Sequence, residues 1–203
     1  MSLSRRGVLS RLLKSVIGGT AAVTLGSISA VAGTTRYNFT SGGGTNRNRY
    51  RGKRFVSDPT GRPPGTIVIN TRKRKLYLVL GDGQALEYGV GVGRQGFNWN
   101  GVARVARKAE WPAWHPPKEM IARELKQYGR RLPNRMEGGP RNPLGARALY
   151  LFQGNKDTLY RIHGTNKPHT IGLAVSSGCI RMINEEVIDL YNRVRIGAKV
   201  EVI

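Results

Sequence analysis

The chain has 203 residues, enough for one well-buried domain with a segment left over at the front and too few for two full domains. An apolar fraction of 39% with 8 Tyr, 4 Phe and 3 Trp can supply a core and excludes wholesale disorder. The 34 Lys plus Arg against 12 Asp plus Glu give a net charge of +22, which points to polyanionic surroundings: nucleic acid, a membrane surface or an anionic envelope.

Residues 1–33 read as an export signal: a basic start, a weakly apolar middle rich in Gly, Ala, Ser and Thr, then Ala30-Val31-Ala32 before a cleavage expected after Ala32. Arg5 and Arg6 in "SRRGVL" resemble the twin-arginine signal. The alternative is a membrane anchor that stays attached, which the apolar part disfavours because it falls short of the ~20 residues a span needs; no other stretch qualifies. Removing residues 1–32 takes away Arg5, Arg6, Arg11 and Lys14 and no acid, so the mature chain keeps a charge of +18. Export to the periplasm or cell envelope weakens the nucleic-acid option, and no nucleic-acid-binding motif accompanies the charge.

Residues 33–64 are rich in Gly, Asn, Thr and Arg with no apolar period, and read as a flexible basic tether. The domain is expected over 65–203. It opens with short β-like runs at 66–70, 75–80 and 84–92, and Gly81-Asp82-Gly83 supplies the positive-φ residues of a hairpin turn. Residues 97–116 mix aromatic and basic side chains, and Pro112, Pro116 and Pro117 argue against a regular element there. A short helix after Pro117 uses Met120, Ile121, Leu125 and Tyr128, and 132–147 form a long loop of the kind that usually serves function. Strands follow at 148–152 and 158–163. Asn184-Glu185-Glu186 is expected to cap a helix running to about Val194, and "KVEVI" at 199–203 alternates and is expected to close the sheet.

The chemistry concentrates in "RIHGTNKPHTIGLAVSSGCIRM" at 161–182, which holds the sole cysteine and two of the three histidines. A chain bound for an oxidising compartment normally pairs its cysteines, and Cys179 has no partner within the chain. His163 at a strand end and Cys179 after a glycine turn can come within hydrogen-bond reach, so the imidazole can take the thiol proton. Gly178 lets the backbone turn sharply, and the N–H groups of Ser177, Gly178 and Cys179 can converge on an oxyanion. Spacing alone leaves a buried, inert cysteine with an unrelated histidine about equally open.

"HGT" at 163–165, Gly172 and "SSGCIRM" at 176–182 resemble the active-site signature of the L,D-transpeptidases, the YkuD-type catalytic domain of exported bacterial cell-wall enzymes. "WPAWHPP" at 111–117 and "GGPRNPLGARALYL" at 138–151 extend the resemblance over roughly 65–203. It implies a mostly β domain, a β-sandwich or sheet with a few short helices, and a covalent thioester mechanism. By that likeness Cys179 is the nucleophile, His163 the base and later acid, and the Gly164 carbonyl orients the imidazole. Many members carry a histidine where this chain has Ser177. Arg181 either pairs with a substrate carboxylate or braces the loop against Glu185 or Glu186, and Ser176 is placed with it on the substrate side. His169 is expected to face solvent and His115 to be structural.

The partners implied are peptidoglycan stem peptides. Cys179 would attack the carbonyl of a diamino acid at the third stem position and pass the acyl group to a neighbouring stem amine, giving a 3-3 cross-link. Water as acceptor makes the site an L,D-carboxypeptidase; a protein amine makes it an anchor for an outer-membrane or wall-anchored protein. The rival from another class is a non-catalytic basic wall-binding protein. No cofactor is implied, and one Cys with three scattered His offers no metal-ligand spacing.

Overall fold

The computed structural model describes residues 52–95 and 99–203. The export signal, and the tether as far as residue 51, lie outside the described residues. The described chain is mostly β: eleven strands, two α-helices and one 3-10 turn. Nine strands form a mixed sheet in the order β1-β4-β3-β2-β11-β6-β7-β8-β10, and β5 pairs with β9 in a small second sheet.

The meander expected at the start is present as β2 (Ile67–Asn70), β3 (Lys75–Gly81) and β4 (Gln84–Gly89), joined antiparallel. Asp82 and Gly83 both carry positive φ, +51° and +69°, which turns the hairpin between β3 and β4. Three expectations need correction. The tether is not unstructured to residue 64: Arg54–Ser57 forms β1, paired antiparallel to β4 at the sheet edge. An edge strand of four residues with only Val56 half-buried carries almost no local apolar pattern.

The basic, aromatic stretch after residue 96 contains the longest strand of the domain, β6 (Gly101–Glu110), ten residues long. The prolines that argued against it all lie beyond Glu110, and its core-facing positions are small, Ala103 and Val105, set between arginines. The run at 199–203 does not close the sheet. β11 (Lys199–Val202) lies in its middle, parallel to β2 and antiparallel to β6.

β7 (Arg147–Gln153) and β8 (Lys156–His163) follow β6 antiparallel, and β10 (Ile180–Arg181) adds to β8 in parallel. Ile67, Ile69, Leu149, Leu151, Ile162, Ile180 and Met182 build the core, closed by Val187, Leu190 and Val194 of helix α2 (Asn184–Arg193) and its C-terminal flank. Lys108 of β6 runs beneath this helix and donates to the carbonyls of Tyr191 and Val194, satisfying groups that a helix C-terminus leaves unpaired.

The long loop is ordered by one side chain. Asn142, buried, donates to the carbonyls of Pro112, Met136 and Glu137 and accepts from the Leu144 N–H. Helix α1 (Lys118–Tyr128) forms where expected and stops at Gly129 in the left-handed region, yet none of its residues is buried.

Candidate active site

The site grows from the register of β7, β8 and β10. Ile180 stands opposite Ile162 and Arg181 opposite His163, so Cys179, one step before β10, enters level with Arg161. Paired residues share a face of the sheet. His163, Arg161 and Arg181 therefore stand on the face away from Ile162 and Ile180. Gly91 holds the outer flank of β10 through two backbone hydrogen bonds with Arg181, at 2.9 and 2.8 Å. A Cβ at Gly91 would lie 2.8 Å from the Thr170 carbonyl oxygen, so the close approach itself requires glycine.

His163 is buried, and its Nδ1 lies 2.5 Å from the Gly164 carbonyl oxygen. A carbonyl only accepts, so Nδ1 carries the hydrogen and Nε2 keeps the lone pair a base needs. Burial, then the charge of Arg181 and more weakly that of Arg161, lowers the imidazole to about 4, against the Gly164 and Leu144 carbonyls, which favour the charged ring. The histidine is neutral at pH 7.

The Cys179 thiol donates to the Leu159 carbonyl at 3.8 Å rather than to His163. Burial raises its pKa, only partly offset by the Arg161 backbone N–H and the charges of Arg161 and Arg181. The resting pair is therefore a thiol and a neutral imidazole, not a thiolate–imidazolium ion pair. A thiol is a weak donor, so a turn about the Cys179 Cα–Cβ bond frees the sulfur at small cost. Catalytic hydrogen bonds commonly tighten only with substrate bound.

Leu159 is a feature the sequence did not disclose. The register of β7 and β8 shifts between Tyr150 and Phe152, and Leu159 sits in that bulge at φ +62° with 75% of its surface exposed. Left-handed backbone in a leucine costs about 1 kcal/mol and is kept where surrounding bonds demand it. Here Leu159 N–H donates to Asp157 and Thr158 Oγ1 donates to the Leu151 carbonyl. The bulge turns the Leu159 carbonyl towards the cysteine.

Two expected roles change. Ser176 was placed on the substrate side, but it is buried, donates to the Cys179 carbonyl at 2.6 Å and accepts from the Gly178 N–H at 3.2 Å. It braces the nucleophile turn. Gly178, at φ +114°, thus has its N–H engaged by Ser176, against the expectation that it faces an oxyanion together with Ser177 and Cys179. Arg181 forms no ion pair with Glu185 or Glu186; among the described residues no carboxylate partners it, so its half-buried guanidinium is open to an anion beside the thiol. His115 and His169 are both exposed.

Asn184 was expected to cap α2. Ile183 occupies that position without a side-chain cap, and Asn184 instead reaches back to accept from the N–H groups of Ala146 and Thr165 at 3.0 and 3.2 Å. A Cβ on either Gly145 or Gly164 would lie 2.2 Å from its Oδ1. Asn184 therefore packs the loop against the histidine segment through two glycines. Gly145 also sits in a turn at φ +63°, closed by its N–H to the Asn142 carbonyl, so the glycine of "PLGAR" reads locally as a turn residue and does not announce the contact.

A lone cysteine on a turn next to β10 and a carbonyl-oriented histidine on the neighbouring parallel strand β8 are the parts of a thiol nucleophile with a histidine base. The sequence profile of the YkuD family, the L,D-transpeptidase catalytic domain, matches residues 64–202, and the chain belongs to that family. Among curated relatives, the probable L,D-transpeptidases ErfK/SrfK and YbiS of Escherichia coli strain K12 are each 38% identical over 142 residues, 68% of this chain and 43% and 44% of theirs. The chain thus spans less than half the length of these relatives. Among solved structures, one from Brucella melitensis described as a probable carnitine operon oxidoreductase is 54% identical, covering 77% of this chain and 95% of that one with a TM-score of 0.51. An L,D-transpeptidase from Mycobacterium smegmatis shares the fold at 16% identity, TM-score 0.50, covering 68% of this chain and 58% of its own.

Proposed function

We propose that the domain is a peptidoglycan L,D-transpeptidase acting through Cys179 and His163. Nε2 of His163 takes the thiol proton as sulfur attacks the third-residue carbonyl of a stem tetrapeptide. The C–N bond to the terminal residue breaks, the proton passes to the leaving amine, and a thioester remains on Cys179. Attack by an amine of a neighbouring stem then restores the thiol and closes a 3-3 cross-link. Water in place of that amine gives carboxypeptidase activity, and a protein amine gives anchoring to the wall. The amides of Ser177 and Cys179 and the Arg181 guanidinium supply the positive edge for the developing oxyanion or a substrate carboxylate.

The observation that carries this reading is the neutral, buried His163, held by the Gly164 carbonyl one strand from the cysteine: a base without a charge, oriented and dry. An oxidoreductase reading, after the Brucella description, has one sequence feature behind it. Gly91-Val92-Gly93-Arg94-Gln95-Gly96 has the spacing of a dinucleotide loop. Such a loop needs a helix N-terminus after it to meet the pyrophosphate. Here Val92–Gly93 is itself β5, and the next described element is strand β6.

The work site is proposed as the periplasm or cell envelope, reached by a cleaved twin-arginine-type signal over 1–32 and a basic tether behind it. No helix of the described residues is long and apolar enough to cross a membrane. Incubating the mature protein with purified tetrapeptide muropeptides and following protein and products by mass spectrometry tests the proposal. The expected result is an acyl adduct on Cys179, absent from Cys179→Ala, with cross-linked dimers. Absence of adduct and product from folded protein on several stem types would favour the wall-binding alternative.

A further inference from the structure

Three adjacent strands place Arg107, Tyr150 and Arg161 in one cross-strand row, Arg107 opposite Tyr150 and Tyr150 opposite Arg161. Both guanidiniums lie over the Tyr150 ring, 3.5 and 4.4 Å from its centre. The row shares its face with His163 and Arg181 and ends level with Cys179. The fork of Arg161 is filled: Asp157 takes it with two oxygens at 2.7 and 2.8 Å. Arg107 is exposed, and among the described residues no carboxylate pairs with it. One acid thus faces three arginines around a neutral histidine, and two like charges share one aromatic ring.

Stacking uses the face of a guanidinium and leaves its N–H edge in plane, open to a carboxylate fork. The buried ring of Tyr150 fixes where that edge points. Two cations on one ring repel, and an anion at the outer one relieves the repulsion. We infer that Arg107, held on Tyr150 beside the Arg161–Asp157 pair, is a subsite for a carboxylate carried by the donor peptide a few residues from the carbonyl that Cys179 attacks. This rests on the acyl-transfer reading above.

Scale supports the assignment. Strands lie about 4.8 Å apart, so three steps from β10 to β6 put the Arg107 backbone roughly 14 Å from the nucleophile's level. The side chain's own reach shortens that gap. An extended peptide advances about 3.3–3.6 Å per residue and an acidic side chain adds its own reach, so a carboxylate on one of the two residues upstream of the attacked one can meet the guanidinium. Asp157 also lies within electrostatic range of both Arg107 and the Cys179 thiol, which ties the row to the reacting sulfur.

The test compares two synthetic donor tetrapeptides, identical except that a residue upstream of the attacked one carries a free carboxylate in one and the corresponding amide in the other. Mass spectrometry follows acylation of Cys179, and melting temperature controls for folding. Wild type is expected to acylate with the carboxylate peptide about tenfold more efficiently, through KM, the size of one charge-assisted contact. Arg107→Gln should remove the preference and Arg107→Lys restore part of it, with the gap narrowing as salt rises. Equal use of the twins by wild type, or an undiminished preference in Arg107→Gln, overturns the subsite. If neither twin acylates wild type, the acyl-transfer reading falls instead. Calorimetric titration of Cys179→Ala with both peptides then decides the subsite, which stands if the carboxylate form binds tighter and falls if the two bind alike or neither binds.

Discussion

The two faces of β6, β7, β8 and β10 are made by one backbone ladder and have opposite chemistry. Below lie Leu149, Leu151, Ile162 and Ile180, sealed by α2; above lie Arg107, Tyr150, Arg161, His163 and Arg181, with a single acid, Asp157. Because side chains alternate with a period of two, the apolar face fixes the register that sets His163 beside β10, and a slip of one residue would exchange the faces. The core is therefore what positions the chemistry, and the polar face contributes reactivity at the expense of compactness. Substitutions below should reduce stability and leave the thiol chemistry of the remaining folded protein intact. Substitutions above should do the reverse.

The largest separation is expected at Cys179. Cys179→Ala should lower acyl transfer by at least about 10³-fold in turnover assays and leave the melting temperature within a few degrees of wild type. Leu149→Ala, beneath it, should lose about 2–5 kcal/mol in urea unfolding with no change in the pH dependence of Cys179 alkylation. A drop in stability for Cys179→Ala as large as that for Leu149→Ala would erase the distinction between the faces.

His163 links the faces through pH. Its value of about 4 lies below the unfolded 6.5, so the unfolded chain takes up the proton first. Stability from this residue is complete above pH 6.5, declines as pH falls from there, and is reduced by about 3 kcal/mol at pH 4. Wild type minus His163→Asn, measured by urea unfolding at pH 7, 5.5 and 4, should follow that course; a flat difference would mean a ring that is not held neutral. The raised Cys179 thiol makes a companion prediction: the inflection of iodoacetamide alkylation should lie above that of an ordinary thiol.

Asn184→Ala should reduce acyl transfer about tenfold, with the conservative Asn184→Asp, which keeps the accepting oxygen, recovering much of it. The smallest expected effect is Lys108→Met, about 1 kcal/mol in urea, from two helix-terminal carbonyls left without their donor.

What the sequence disclosed and what it hid divide along the same line. The meander, helix α1 and the strands at β7 and β8 were legible because apolar residues recur at short intervals, and helix α2 because two acids follow Asn184 where a helix would start. Cys179 and His163 were legible because a sole cysteine between Gly178 and a strand, 16 residues from a histidine, matches a known signature. β6 was hidden by its small core residues and crowded arginines. Asn184 was read as a local cap since Asn before two acids usually is one, whereas its oxygen serves backbone 19 and 38 residues away. The Leu159 bulge, the bracing by Ser176 and the arginine row depend on pairings between strands, which no local pattern encodes.

The place of β11 sets an order of events for the whole domain. It follows all the other described strands in sequence yet lies at the centre, between β2 and β6. Until residue 202 has been synthesised, β1 to β4 on one side and β6, β7, β8 and β10 on the other are two half-sheets with unpaired inner edges and no continuous core. Until then the inner edges of β2 and β6 have no strand between them, and each is open to pairing. β11 is the bolt that joins two half-sheets into one.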